Sequence, residues 1–210
     1  ILTGGGARGA YQVGVIKAIT EITQGQSSMF PIISGISVGA LNAAAFATRA
    51  DNLQSATALL ETFWRGLHTH KVFDTRFYKI ATAAIKLGVF ELLSGNHRKP
   101  PESVLDISPL RASLMETIDL SNISKLTKTG NLHSVCVTCS GYSSGHAVTF
   151  FETAQSIKPW HRSGREGRKS SLTLDHIMAS ASLPLLFPAV KIGNEYFGDG
   201  ALRMTSPLAP

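Results

Sequence analysis

Twice within the first fifty residues, a short apolar segment passes through closely spaced glycines into a helix-forming stretch. The first unit runs from Ile1-Leu2-Thr3 through Gly4-Gly5-Gly6-Ala7-Arg8-Gly9 into Ala10 to Thr23, where Val13, Ile16 and Ile19 recur at helical spacing. The second runs from Pro31-Ile32-Ile33-Ser34 into Gly35, and from Val38 continues as an alanine-rich stretch to about Arg49, a strong helix former. A strand-helix-strand-helix opening places the chain in the α/β class and predicts a mainly parallel central sheet.

With 210 residues, 43% of them hydrophobic and 16% charged, residues 1–210 are expected to form a single domain with a real core. The chain begins at Ile1 inside a strand and stops after a loop-like Pro207-Leu208-Ala209-Pro210. It therefore reads as a fragment lacking the extreme N-terminus and a C-terminal continuation. No apolar run approaches the ~18 residues of a spanning helix, which leaves a soluble or membrane-peripheral protein of open localisation.

Downstream, Asn52 to Leu67 and Phe77 to Leu93 read as helices, and Gly95 to Pro101 as a loop within the domain. Ser108 and Pro109 fit an N-cap and first-turn proline opening a short helix through Ile118. Strands are expected around His133 to Cys139 and over His146 to Phe151, and Thr173 can cap a helix from Leu174 to Ser182. Ala189 to Ile192 and Glu195 to Phe197, separated by Gly193-Asn194, read as a tight hairpin. That hairpin delivers the chain into Gly198-Asp199-Gly200-Ala201.

The two cysteines, Cys136 and Cys139, lie three apart on a strand and face opposite ways, which disfavours a shared metal or a redox pair and favours buried structural thiols. The net charge of +6 points to an anionic partner, and Lys158 to Lys169 is the densest basic stretch, with His161, Arg162, Arg165 and Arg168. It reads as a solvated loop or an anionic-surface patch. Only Trp160 interleaves it, so no nucleic-acid site is assigned.

Gly35-Ile36-Ser37-Val38-Gly39 has the G-x-S-x-G form of a nucleophile elbow, in which a sharp strand-to-helix turn lifts a serine hydroxyl into the open. Glycines two residues to either side are needed because side chains there would collide across the turn. Chance alone would give about 0.2 such matches in this composition, but here the required strand precedes the motif and the required helix follows it.

Gly4 to Gly9 satisfies G-x-G-x-x-G. A dinucleotide site wants an acidic residue near the end of the second strand, where this chain has Ser37, and a P-loop wants Lys and Ser or Thr after Gly9, where it has Ala10-Tyr11. What remains is a cluster of unencumbered backbone amides at a helix N-terminus, suited to a developing negative charge such as a tetrahedral acyl intermediate.

A base for Ser37 is less evident. A triad could pair Asp106 or Asp119 with His133, His146, His161 or His176, and no spacing favours any of them. Asp199 stands apart, between glycines at a hairpin exit and free to approach another loop closely.

Together the three glycine motifs resemble those of the patatin-like phospholipases, a family of serine lipid acyl hydrolases. Gly4, Gly5, Gly6, Ala7, Arg8 and Gly9 look like its oxyanion loop, Gly35, Ser37, Val38 and Gly39 its elbow, and Asp199, Gly200 and Ala201 its Asp-Gly-Gly/Ala signature. Leu105 to Arg111 and Ala179 to Pro184 also look like family segments, especially of bacterial members. Ala201 replaces the commoner glycine.

The resemblance implies a three-layer α/β/α fold and a Ser37–Asp199 dyad without histidine, working through an acyl-enzyme. It also implies phospholipid or related lipid ester substrates met at a lipid interface, and no cofactor or metal. A carboxylate of ordinary pKa ~3.9 is a weak base, so such a dyad requires a dry, preorganised site.

Overall fold

The computed structural model describes residues 1–25, 29–72, 105–206 and 208. The expected helix Phe77 to Leu93 and loop Gly95 to Pro101 lie outside these. Seven strands form one sheet in the order β4-β5-β3-β2-β7-β6, with β1 also paired to β2. They are β1 (Ile32–Ile36), β2 (Ser134–Gly141), β3 (Ala147–Glu152), β4 (Trp160–Arg162), β5 (Arg165–Lys169), β6 (Val190–Ile192) and β7 (Glu195–Asp199).

The helices that frame the site are α1 (Gly9–Ile22), α2 (Val38–Ala47) and α3 (Leu53–Gly66). After the short α4 (Thr69–Val72) come α5 (Ser108–Thr117), α6 (Ser121–Thr129) and α7 (Leu174–Ser180). Helix α2 carries alanine at positions 40, 43, 44, 45 and 47, all buried, and these small side chains let it lie close against β1 and β2.

The sheet is mixed, which corrects the expectation of a mainly parallel one. Of the pairings among the described strands, β1–β2 and β3–β5 are parallel, while β2–β3, β2–β7, β4–β5 and β6–β7 are antiparallel. The strand-helix-strand start does produce a parallel contact, the Leu2↔Gly35 bridge, and β1 goes on to pair in parallel with β2. Beyond residue 134, however, successive strands are joined by turns such as Ser163-Gly164 and Gly193-Asn194, too short for the crossover that a parallel neighbour needs. All positions of β2 and β3 are buried, so both faces are covered, as in an α/β sheet sandwiched between other layers.

Strand β2 organises the molecule. One edge pairs with β3 from Val135↔Glu152 to Ser140↔Ala147. The other edge is divided: β1 occupies it in parallel up to Ile36↔Thr138, and β7 occupies it antiparallel from Cys139↔Asp199 onward. Since β1 runs with β2 and β7 runs against it, the C-terminal ends of β1 and β7 meet head to head at the Thr138–Cys139 peptide.

Three local expectations are revised. Ile1-Leu2-Thr3 contributes only a single parallel bridge, Leu2↔Gly35, in place of a strand. Ser108 is the first residue of α5, not its N-cap: Asp106 Oδ1 accepts from the Ser108 amide at 2.9 Å and its hydroxyl at 2.6 Å, with Pro109 in the first turn. The basic stretch is a β4–β5 hairpin, not a loop. On β5, Glu166 and Arg168 share a face; Arg168 bonds Glu166 and Glu195 and lies over the Phe150 and Phe197 rings.

Cys136 and Cys139 are free and buried, and burial pushes both thiols up, which keeps them protonated and unreactive.

Candidate active site

Ser37 directly follows the last residue of β1, and Asp199 is the last residue of β7. The meeting of those strands on β2 brings the two side chains together across 162 positions of sequence: Ser37 Oγ donates to Asp199 Oδ2 at 2.6 Å. Asp199 is fully buried. Its Oδ1 accepts from the Ala201 amide at 2.8 Å, and its own amide donates to the Ser182 carbonyl at 2.7 Å. Burial raises its carboxyl above the ordinary aspartate range, against the opposing effect of the Ser37 and Ala201 hydrogen bonds.

Ser37 holds φ 55° and ψ −131°, a region that costs a non-glycine residue about 1–3 kcal/mol and persists only where the surroundings enforce it. Here they do. The Ser37 amide donates to Ser180 Oγ at 2.9 Å, and that hydroxyl donates to the Thr138 carbonyl at 2.6 Å, tying the turn to α7 and β2. The flanking glycines are sterically required: a Cβ on Gly35 would stand 2.3 Å from the Gly39 carbonyl oxygen, and one on Gly39 would stand 2.2 Å from that of Leu2. Val38 opens α2, so the positive end of that helix faces the serine.

The glycine loop reaches Ser37 through the Leu2 bridge, in which Leu2 donates to the Ser34 carbonyl and accepts from the Ile36 amide. Gly4 lies against the Ser37 side chain and Ala201: its ideal Cβ position is 3.2 Å from Ser37 Cβ and 3.7 Å from Ser37 Oγ. Gly5, Gly6, Ala7 and Arg8 are exposed, Gly6 to Arg8 forming a single 3-10 turn before Gly9 starts α1. The Arg8 amide is used by the Gly5 carbonyl, whereas the amides of Gly4, Gly5, Gly6 and Ala7 donate to no other described residue. Beside Gly4 opens an apolar cleft of about 470 Å³ whose walls include Leu2, Tyr11, Val15, Ile19 and Phe30.

Sequence reasoning missed two supporting residues. Ser180 is the buried hydroxyl just described. Asn42, fully buried in α2, donates to the Gly9 carbonyl at 3.0 Å and to Gln12 at 2.9 Å and accepts from Trp64 Nε1 at 2.8 Å, pinning the end of the glycine loop to the elbow helix. A lone amide inside an alanine-rich helix was the available signal.

The alternative triad members are not assembled. Asp106 Oδ1 is occupied by the Ser108 amide and hydroxyl, and Asp119 Oδ1 accepts from the Ser121 amide and hydroxyl. Among the described residues no histidine hydrogen-bonds Ser37 or Asp199. His176 is buried against Phe150, its Nδ1 taken by Thr173, and burial pushes its pKa down to about 4.

A comparison with known protein families matches residues 1–210 to the family described as patatin-like phospholipase. The chain belongs to the patatin-like phospholipase family. Membership of this family fixes the three-layer α/β/α class of the fold, and members of the patatin family are lipid acyl hydrolases. No curated protein matches the chain.

Proposed function

We propose that this patatin-like protein cleaves carboxylic esters of phospholipids through a Ser37–Asp199 dyad. The observation that carries the reading is the 2.6 Å hydrogen bond from Ser37 Oγ to a buried carboxylate with no histidine between them. Asp199 accepts the hydroxyl proton as Ser37 attacks the ester carbonyl. Burial, by raising the carboxyl's basicity, helps it act as the base. The free amides among Gly4 to Ala7 hold the tetrahedral oxyanion, each such donor being worth ~3 kcal/mol of barrier. Collapse of that intermediate expels the alcohol, which takes the proton from Asp199. Water activated by Asp199 then hydrolyses the acyl-enzyme.

The apolar cleft beside Gly4 suits an acyl chain. Leu183, Leu185, Leu186 and Leu202 are all exposed and close in sequence to Ser182 and Gly200, and such apolar side chains suit docking at a lipid interface.

Labelling with a fluorophosphonate probe, followed by mass mapping of the modified residue, tests the nucleophile. Modification of Ser37, and loss of phospholipid hydrolysis in both Ser37→Ala and Asp199→Asn, is expected. An unlabelled Ser37 would make the domain a binding module, and retained hydrolysis in Asp199→Asn would remove the dyad.

A further inference from the structure

The β4–β5 hairpin and the start of β3 assemble a second chemical cluster that the esterase reading does not use. His161 and Glu166 are direct cross-strand partners, and Glu166 is in turn paired with Val148. His146 lies two residues before Val148, so strand alternation puts it on the same face, diagonal to Glu166. The three side chains converge: His146 Nδ1 stands 3.6 Å from Glu166 Oε2, His161 Nδ1 stands 3.7 Å from the same oxygen, and one ligand atom from each lies within 4.8 Å of the others.

Those separations are too long for hydrogen bonds. The two His–Glu separations lie at or just above the ~3.3–3.6 Å between ligand atoms around a tetrahedral zinc with bonds of ~2.0–2.2 Å, so small side-chain rotations would close the set on a metal. His146 Nδ1 is buried and has no hydrogen-bond partner, an unmet lone pair or proton aimed at the centre of the cluster. The second oxygen of Glu166 is held by Arg168, which is itself clamped by Glu195 at 3.0 Å. That arrangement orients the carboxylate as an outer-shell partner does in metal sites. It also leaves the two glutamates and one arginine with a net charge of −1, which a divalent cation would offset.

We propose that His146, His161 and Glu166 bind a divalent transition metal, zinc by the chemistry of two imidazoles and one carboxylate, with a fourth position open to water. The site is separate from the dyad. Along the row Asp199, Cys139, Val148, Glu166 it lies three strands away, about 14 Å at ordinary strand spacing. Its role is structural: it clips the three-residue edge strand β4 to β5 and β3, where the sheet would otherwise depend on few ladder bonds.

Protein stripped with EDTA is titrated with zinc by calorimetry and with cobalt(II) by visible absorption. One equivalent per chain is expected, with the intense cobalt band of a four-coordinate site, a rise in Tm, and slower amide exchange over residues 160–169. His161→Ala and Glu166→Gln are each expected to lower zinc affinity by more than the about 10- to 100-fold that losing an outer-shell partner costs. The His161 side chain is 65% exposed, so its removal leaves the fold intact, checked by circular dichroism. His68→Ala, in the stacked His68–His70 pair, serves as control and leaves binding unchanged. Absence of stoichiometric binding, binding that survives His161→Ala, or binding lost in His68→Ala overturns the proposal.

Discussion

Replacing Ser180 by alanine removes a single oxygen, yet that oxygen serves two backbone groups. It accepts from the Ser37 amide at 2.9 Å and donates to the Thr138 carbonyl at 2.6 Å, in a position with no solvent exposure. The Ser37 amide, left without that acceptor, cannot turn to water, whereas the Thr138 carbonyl faces Gly200 along the β2–β7 register. A buried polar group left unpaired costs about 1–3 kcal/mol, so Ser180→Ala is expected to lose about 2–3 kcal/mol of folding stability, a large part of a domain's usual 5–15. The loss is coupled to chemistry, because the Ser37 backbone at φ 55° is held partly by that hydrogen bond. Once it relaxes, the hydroxyl leaves the line to Asp199, and kcat falls more than KM rises. Urea unfolding and phospholipid hydrolysis measure both effects.

Ser182→Ala supplies the internal control. Ser182 is equally buried, but its hydroxyl donates only to the Met178 carbonyl one helical turn back, which also accepts from the Ala181 amide. Its loss is expected to cost no more than about 1 kcal/mol. Equal stability losses in the two variants, or a Ser180→Ala enzyme of full kcat, would refute the reasoning.

Asp199→Asn is expected to abolish hydrolysis without destabilising the fold. Burial raises the Asp199 carboxyl, so its contribution to stability is full at low pH and is lost as pH rises through the raised value; the variant's Tm should equal or exceed wild type at neutral pH, with the gap closing in acid. The same shift places the acid limb of kcat/KM above the ordinary aspartate value of ~3.9, since only the ionised carboxylate accepts the proton; activity undiminished down to about that pH would contradict it. His176, pushed down to about 4, is neutral near pH 6.5, and a full loss of hydrolysis in a well-folded His176→Ala would reinstate a histidine mechanism. Gly200→Ala would put a Cβ 2.2 Å from the Thr138 carbonyl oxygen, prising β7 from β2; urea unfolding should show a loss of about 1–3 kcal/mol, with a larger fractional loss of hydrolysis.

The elbow was readable because local chemistry determines it: a β-branched run, glycines where contacts approach 2.3 Å, then alanines that can only be helix in such company. The sheet was misread because direction is set by connections, not by strands. Ile32–Ile36 and Ser134–Gly141 are parallel, whereas the Gly193-Asn194 turn marks an antiparallel pair in the sequence itself. The β4–β5 hairpin was hidden by its own charges. Arg165, Arg168 and Lys169 look solvated in one dimension, and only the register shows Arg168 neutralised by Glu166 and a glutamate 27 positions away. Ser180 carries no sign of its role in the sequence, since nothing local reveals that a serine in α7 will meet an amide 143 positions earlier.

The division of one β2 edge between β1 and β7 has a consequence for how the protein comes into being. On a ribosome Ser37 emerges 162 residues ahead of Asp199, and the intervening chain can lay down β1, α2 and most of β2 without the carboxylate being present. On the proposed dyad, the serine lacks its base throughout synthesis and gains it only when β7 zips onto the last three residues of β2. Hydrolytic competence through that dyad would be a late event of folding, and a nascent molecule that exposes its elbow would lack the base the reaction needs.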